Sequence, residues 1–140
     1  MQVFVPYDNP YLVAECLDEK RLPRQITEAK LILDGIDGKN GWGNNIVAKM
    51  WKPYKEWLYN YWMVLKYYYY GDNLEAISSN TYCLTHKPKF LTKKFCDQHK
   101  RRLYTKDPQH YFQFKDLGES YDNWYYVDGK LKVFNQNKNI

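Results

Sequence analysis

Leu17, Leu22, Ile26, Ala29 and Leu33 recur at helical spacing through a stretch, residues 18–30, that is otherwise dense in charge. That spacing buries one stripe of a helix and leaves the remaining faces to water. It also brings Arg21, Arg24, Gln25 and Glu28 onto neighbouring turns. Two readings follow. The residues form a solvated face with an i,i+4 pair between Arg24 and Glu28. Alternatively, two guanidinium groups, an amide and a carboxylate converge to bind a phosphate and hold one acid/base group beside it.

The helical period extends well beyond this stretch. Asn9 and Pro10 read as a cap and first helical residue, and Leu12, Val13, Cys16 and Leu17 carry the apolar stripe on to Leu33. Pro23 lies inside that pattern and must kink or split the helix. The stretch from Asp34 to Gly41 ends the helix and forms a loop. Asn44 or Asn45 can cap a second helix to about Tyr70, with a broad aromatic face running from Val47 to Leu65 and a bend at Pro53. A short helix from Gly71-Asp72 to Ile77 is expected next, then a less regular region over residues 80–98. It contains a basic loop around His86–Phe90 and Lys93-Lys94. Residues 97–104 read as a helical turn, and Asp107-Pro108 as the start of a further helix facing Tyr111 and Phe114 inward. The period changes only near the end. Trp124–Val127 and Leu131–Phe134 flank Asp128-Gly129, a strong hairpin signal. The expectation is a mainly α, single compact helical domain over residues 1–140, with kinked long helices, a C-terminal β-hairpin at about 123–134 and a frayed polar tail.

The chain has 140 residues and a formal charge of +5, enough for one real core and a mild preference for an anionic partner. Its 15 Tyr and 5 Trp suit core, interface or base-stacking roles. Cys16, Cys83 and Cys96 are odd in number and widely spaced, which points to reduced thiols and a cytoplasmic setting rather than a disulfide framework. No signal peptide is legible at the N-terminus, and no apolar run approaches the ~20 residues of a bilayer span. A Gly-rich phosphate loop, a His-x-Glu-x-x-His zinc motif, a Cys-x-x-Cys pair and a Gly-x-Ser-x-Gly elbow are all missing. P-loop, zinc and serine-hydrolase chemistry are disfavoured, and neither a metal nor a cofactor is implied.

What remains is a basic constellation in three blocks. The first is Arg21, Arg24, Gln25 and Glu28. The second is Gly41-Trp42-Gly43-Asn44-Asn45, leading into a helix N-terminus that can hold phosphate or simply be capped. The third is His99-Lys100-Arg101-Arg102 with Lys106, His110 and Tyr111, a binding segment or a solvated basic turn.

Arg21-Leu22-Pro23-Arg24-Gln25-Ile26-Thr27-Glu28-Ala29, Gly41 through Trp51, and His99 through Tyr111 resemble an uncharacterised branch of the pyrimidine-dimer DNA glycosylases, the T4-type endonuclease V-like proteins. The resemblance spans residues 1 to about 114. It implies a mainly helical domain that binds kinked duplex DNA. An N-terminal α-amine attacks the sugar C1′, forms a Schiff base and cleaves the strand by β-elimination, supported by a glutamate just before a Leu-Pro-Arg segment. Two departures stand out. Arg21 occupies the position matching that glutamate, and residue 2 is the bulky Gln, so that Met1 is expected to stay. An α-amine has a pKa of ~7.7–8.0, so Met1 can still be a nucleophile. Met1 and Glu28 are the catalytic candidates. Arg21, Arg24, Gln25, Asn44, Asn45, His99, Arg101, Lys106, His110 and Tyr111 are the substrate- or phosphate-binding candidates. The partner is DNA or a nucleotide. The leading function is a glycosylase and lyase acting on damaged or modified bases. The alternatives are a non-catalytic nucleic-acid or nucleotide-sequestering protein of viral or phage type, which would sit in the host cytoplasm, and a structural protein with an aromatic interface.

Overall fold

A computed structural model describes residues 2–71 and 87–135. The expected helix from Gly71-Asp72 to Ile77, together with Met1, Cys83, His86 and the tail, lies outside the described residues, apart from Gly71 itself and Asn135. Helix α1 spans Pro10–Cys16 and α2 spans Arg21–Ile36. A 3-10 turn, Gly41–Asn44, leads into α3, Ile46–Trp51. The 3-10 turn Lys52–Tyr54 then joins it to α4, Lys55–Tyr70. Helix α5, Lys93–Lys106, precedes a 3-10 segment, Phe112–Leu117, and the strands β1, Asp122–Val127, and β2, Lys130–Asn135. The mainly helical class and the terminal hairpin are as the sequence predicts. Among the described residues, no helix is long and apolar enough to cross a membrane.

Local chemistry sets most of these boundaries. Asn9 accepts from the Tyr11 amide and Pro10 takes the first helical position, as expected. Asn45 caps α3 by accepting from the Val47 amide. The first helical pattern is split, but not at Pro23. The break falls at residues 17–20, and Pro23 sits in the first turn of α2, where a missing N–H costs no intrahelical bond. Pro53, by contrast, does interrupt its pattern, lying in the 3-10 turn that separates α3 from α4. The Asp128-Gly129 turn has positive φ at both residues, 54° and 75°, as a two-residue hairpin of matching twist requires.

Two expectations are corrected. Lys93-Lys94 do not form a loop with a separate turn at 97–104. One helix runs from Lys93 to Lys106, because Thr92 caps it by accepting from the Phe95 amide, and Phe95, Cys96, His99 and Leu103 bury one stripe. Asp107-Pro108 begins no α-helix. Asp107 accepts from the His110 amide in a turn that continues as the 3-10 segment.

The core is organised around the N-terminal segment. Val3, Phe4 and Val5 are buried but belong to no helix or strand, so their backbone groups need partners other than water. Side chains from three helices satisfy them. Phe4 N donates to Gln25 Oε1 of α2 at 2.8 Å, and Tyr61 of α4 donates to Phe4 O at 2.7 Å. Val5 N donates to His99 Nδ1 of α5 at 2.7 Å. Stacked Trp51, Trp57 and Tyr61 rings, 5.6 and 5.9 Å apart, back this arrangement. The buried N-terminal segment therefore ties α2, α4 and α5 together.

Candidate functional site

Where α2, the end of α5, β1 and the N-terminal segment meet, a cavity of about 150 Å3 opens. Its wall is made by Gln2 and Phe4, by Arg21, Arg24, Gln25 and Glu28 of α2, by Arg102 and Lys106 of α5, and by Asn123 of β1. Among the described residues, four cations thus surround one carboxylate. A small volume with several cations suits an anion far better than an apolar ligand.

Helix spacing explains the α2 wall. Arg21, Arg24, Gln25 and Glu28 lie three and four residues apart and share a side, while Leu22, Ala29, Ile32 and Leu33 bury the opposite stripe. Gln25 is 2 % exposed and all its polar atoms are engaged. Its Oε1 accepts from Phe4 N and Tyr61 Oη, at 2.8 and 3.2 Å. Its Nε2 donates to Gln2 O and Glu28 Oε2, both at 3.0 Å. Gln25 therefore holds the N-terminal segment against the Glu28 carboxylate, with no atom left over for substrate.

Glu28 is half-buried, and burial pushes its carboxyl above the usual carboxylate range, although Arg24 and the Gln25 hydrogen bond pull the other way. Lys106 moves oppositely. Burial and the positive charges of Arg102, Arg21 and Arg24 lower its pKa, with Glu28 opposing. An acid raised and a base lowered in one cavity brings the two groups closer in proton affinity, an arrangement suited to proton transfer. Arg24 is exposed at the rim and has no hydrogen-bond partner among the described residues. Arg21 is engaged with Asp18, its Nη1 lying 3.1 and 3.2 Å from the two carboxylate oxygens. Arg102 is buried, with Nε donating to Asn123 Oδ1 at 3.0 Å and Nη1 to Ser120 O at 3.1 Å.

The remaining candidates lie elsewhere. Asn45 caps α3 and Asn44 is exposed in the preceding turn, and neither lines the cavity. The Gly41–Asn44 turn instead packs on α2. A Cβ at Gly35 would stand 2.9 Å from Trp42 Cβ, and one at Gly43 only 2.8 Å from Gly35 O, so both glycines are needed for the approach. His99 is enclosed. Its Nδ1 accepts from Val5, and burial with the nearby Arg102 charge drives its pKa down to about 3, so it stays neutral. Arg101 points away and donates from Nε to Leu117 O at 2.9 Å. The exposed His110 has Nε2 3.3 Å from Cys16 O. The buried Tyr111 accepts from Asp18 N at 3.0 Å and donates to Asp18 Oδ1. Burial alone would raise the Asp18 carboxyl, but hydrogen bonds from Tyr111 and Arg21 hold it below the usual range.

Of the binding candidates, the cavity gathers Arg21, Arg24, Gln25 and Lys106, with Glu28 beside them. It adds Gln2, Phe4, Arg102 and Asn123, which the sequence reading did not select. The signal for Arg102 was present. His99, Arg102 and Lys106 lie on one face of a continuous helix, at i, i+3 and i+7, while Arg101 lies off it. Nothing local marks Asn123. It reaches the cavity because β1 packs on α5 through Arg102.

Among the described residues, no cluster of His, Cys, Asp and Glu can hold a metal. Comparison with known families matches residues 1–67 to the pyrimidine dimer DNA glycosylases. The family resemblance read from the sequence is borne out over that stretch, which includes Arg21, Arg24, Gln25 and Glu28. No curated protein and no solved structure matches the chain. The part of the wall supplied by Arg102, Lys106 and Asn123 lies beyond the matched residues.

Proposed function

We propose that the chain acts on damaged or base-modified DNA as a glycosylase with lyase activity, in the cavity between α2, α5 and β1. One observation carries this reading: Glu28 shares a cavity with Arg21, Arg24, Arg102 and Lys106. The rim cations bind backbone phosphate around a nucleotide displaced from the stack, since base chemistry within a duplex needs that displacement. A primary amine attacks C1′ and the base departs with the glycosidic bonding pair. Glu28, with its raised pKa, delivers the proton that the departing base takes up. The resemblance gives the amine's role to Met1. That residue lies outside the described residues but is joined by one peptide bond to Gln2, whose carbonyl is held by Gln25. Borohydride reduction in the presence of abasic or dimer-containing duplex should trap a covalent protein–DNA adduct. No adduct on either substrate removes the lyase reading.

A second reading is favoured by Arg21. It occupies the position of the family's glutamate and is neutralised by Asp18. On this reading the cavity retains a nucleic-acid or nucleotide ligand without turnover. Salt-dependent binding with neither base release nor strand cleavage distinguishes it.

A further inference from the structure

We propose that Lys106 Nζ, rather than the chain's α-amine, is the nucleophile that forms the Schiff base in this cavity. The inference rests on the lyase reading above and assigns its attacking group. Among the described residues that line the cavity, Lys106 carries the one side-chain amine. The other cations, Arg21, Arg24 and Arg102, are guanidinium groups, whose nitrogen lone pairs are delocalised over a planar fork and do not attack carbon as an amine does. Lys106 closes the last turn of α5, and no ion pair engages it among the described residues. Arg21 is tied to Asp18 and Arg102 to Asn123, so these two are held in place while the lysine is not.

The surroundings supply what an amine needs to be reactive. Lys106 is exposed as a whole residue, but desolvation where it meets the cavity, and then the positive charges of Arg102, Arg21 and Arg24, lower its pKa, the direction in which Schiff-base lysines are activated. Glu28 across the cavity provides the partner acid. At an abasic site the neutral amine adds to the C1′ aldehyde. The carbinolamine then loses water to give an iminium, with Glu28 giving a proton to the departing hydroxyl. At an intact nucleoside the N–C1′ bond forms as the base leaves with the glycosidic pair. Ring opening at O4′ then gives the same iminium. Glu28, left as the carboxylate, then takes the C2′ proton; the C–H pair forms the C2′–C3′ double bond as the C3′–O bond breaks and the 3′ phosphate leaves with its electron pair. No oxidant or cofactor is required in either route.

The decisive experiment is peptide mapping of the borohydride-trapped adduct by mass spectrometry, using duplex with a single abasic site. Reduced adduct on the peptide containing Lys106 is the expected result. Adduct on the N-terminal peptide overturns the assignment while leaving the lyase reading intact. No adduct anywhere overturns both. Lys106→Arg keeps the positive charge and removes the attackable amine. It should lose trapping and strand cleavage but keep affinity for the duplex within about threefold, because the phosphate contacts are electrostatic. Retained trapping in Lys106→Arg overturns the proposal independently of the mapping, and unchanged thermal melting of that variant verifies the fold.

Discussion

Two polar clusters begin and end the first turns of α2, and they are made of nearly the same residue types. At the helix start, Asp18, Arg21 and Tyr111 form a closed knot. Tyr111 both donates to and accepts from Asp18, and Arg21 spans the two carboxylate oxygens. One turn on, Arg24, Gln25 and Glu28 form an open cluster. Gln25 is saturated, but Arg24 is unpartnered among the described residues, and Glu28 accepts a hydrogen bond from Gln25 while its carboxyl faces the cavity. Charge and composition do not separate these clusters. The difference is whether hydrogen-bonding capacity is used up inside the fold. A saturated cluster holds structure, whereas one with spare capacity facing a cavity can bind and transfer protons.

Substitutions can break this contrast. The largest expected effect is that of Glu28→Gln. Strand cleavage on abasic duplex should fall by about 10²–10⁴-fold, the usual range for losing a general acid/base group, with the fold retained. Gel-resolved cleavage alongside thermal melting checks it, and full activity in Glu28→Gln would remove Glu28 from the chemistry. Tyr111→Phe should do the reverse. It strips the Asp18 amide and carboxylate of a buried partner, costing about 1–3 kcal/mol of stability by urea unfolding, while cleavage at low temperature persists. A Tyr111→Phe variant that is stable but inactive would show that the knot is part of the site.

The smallest effect, and the one that sharpens the comparison most, is the pH dependence of stability. Asp18 has a lowered folded pKa. Its contribution is present above the ordinary carboxylate range and is lost as pH falls through the lowered value. Glu28 has a raised folded pKa. It binds its proton more tightly in the folded chain, so stability falls as pH rises from the ordinary value through the raised one. Asp18→Asn should therefore flatten the acid limb of the stability curve. Glu28→Gln should remove the decline above it and leave the chain slightly more stable at neutral pH. Parallel curves for the two variants would mean that the clusters are not electrostatically distinct.

Much of the local structure was legible. Asn9-Pro10, Asn45 and Asp128-Gly129 are recognised by short-range chemistry, since a cap or tight turn is decided within three or four residues. The α2 wall was legible too, because Arg21, Arg24, Gln25 and Glu28 are fixed relative to one another by the helix alone. The α5 wall was misread. Without the full helix from Lys93 to Lys106, the basic run yields Arg101 as the binding candidate and passes over Arg102, although Arg102 lines the cavity and Arg101 does not. The roles of Gln25, His99 and Tyr111 were also out of reach, because each depends on a partner distant in sequence. Gln25 meets Phe4 and Tyr61, His99 meets Val5, and Tyr111 meets Asp18.

By itself, then, the sequence determined a helical chain, its caps and hairpin, and a charged turn suited to an anion. These depend on backbone propensity, spacing and local hydrogen bonds. Tertiary structure decided which polar side chains were consumed by the buried segment at residues 3–5 and which remained to face the cavity. It also brought Arg102, Lys106 and Asn123 to Glu28. Burial and long-range hydrogen bonding arise only when distant segments pack, and in this chain they separate a carboxylate consumed inside the fold from one that faces the cavity.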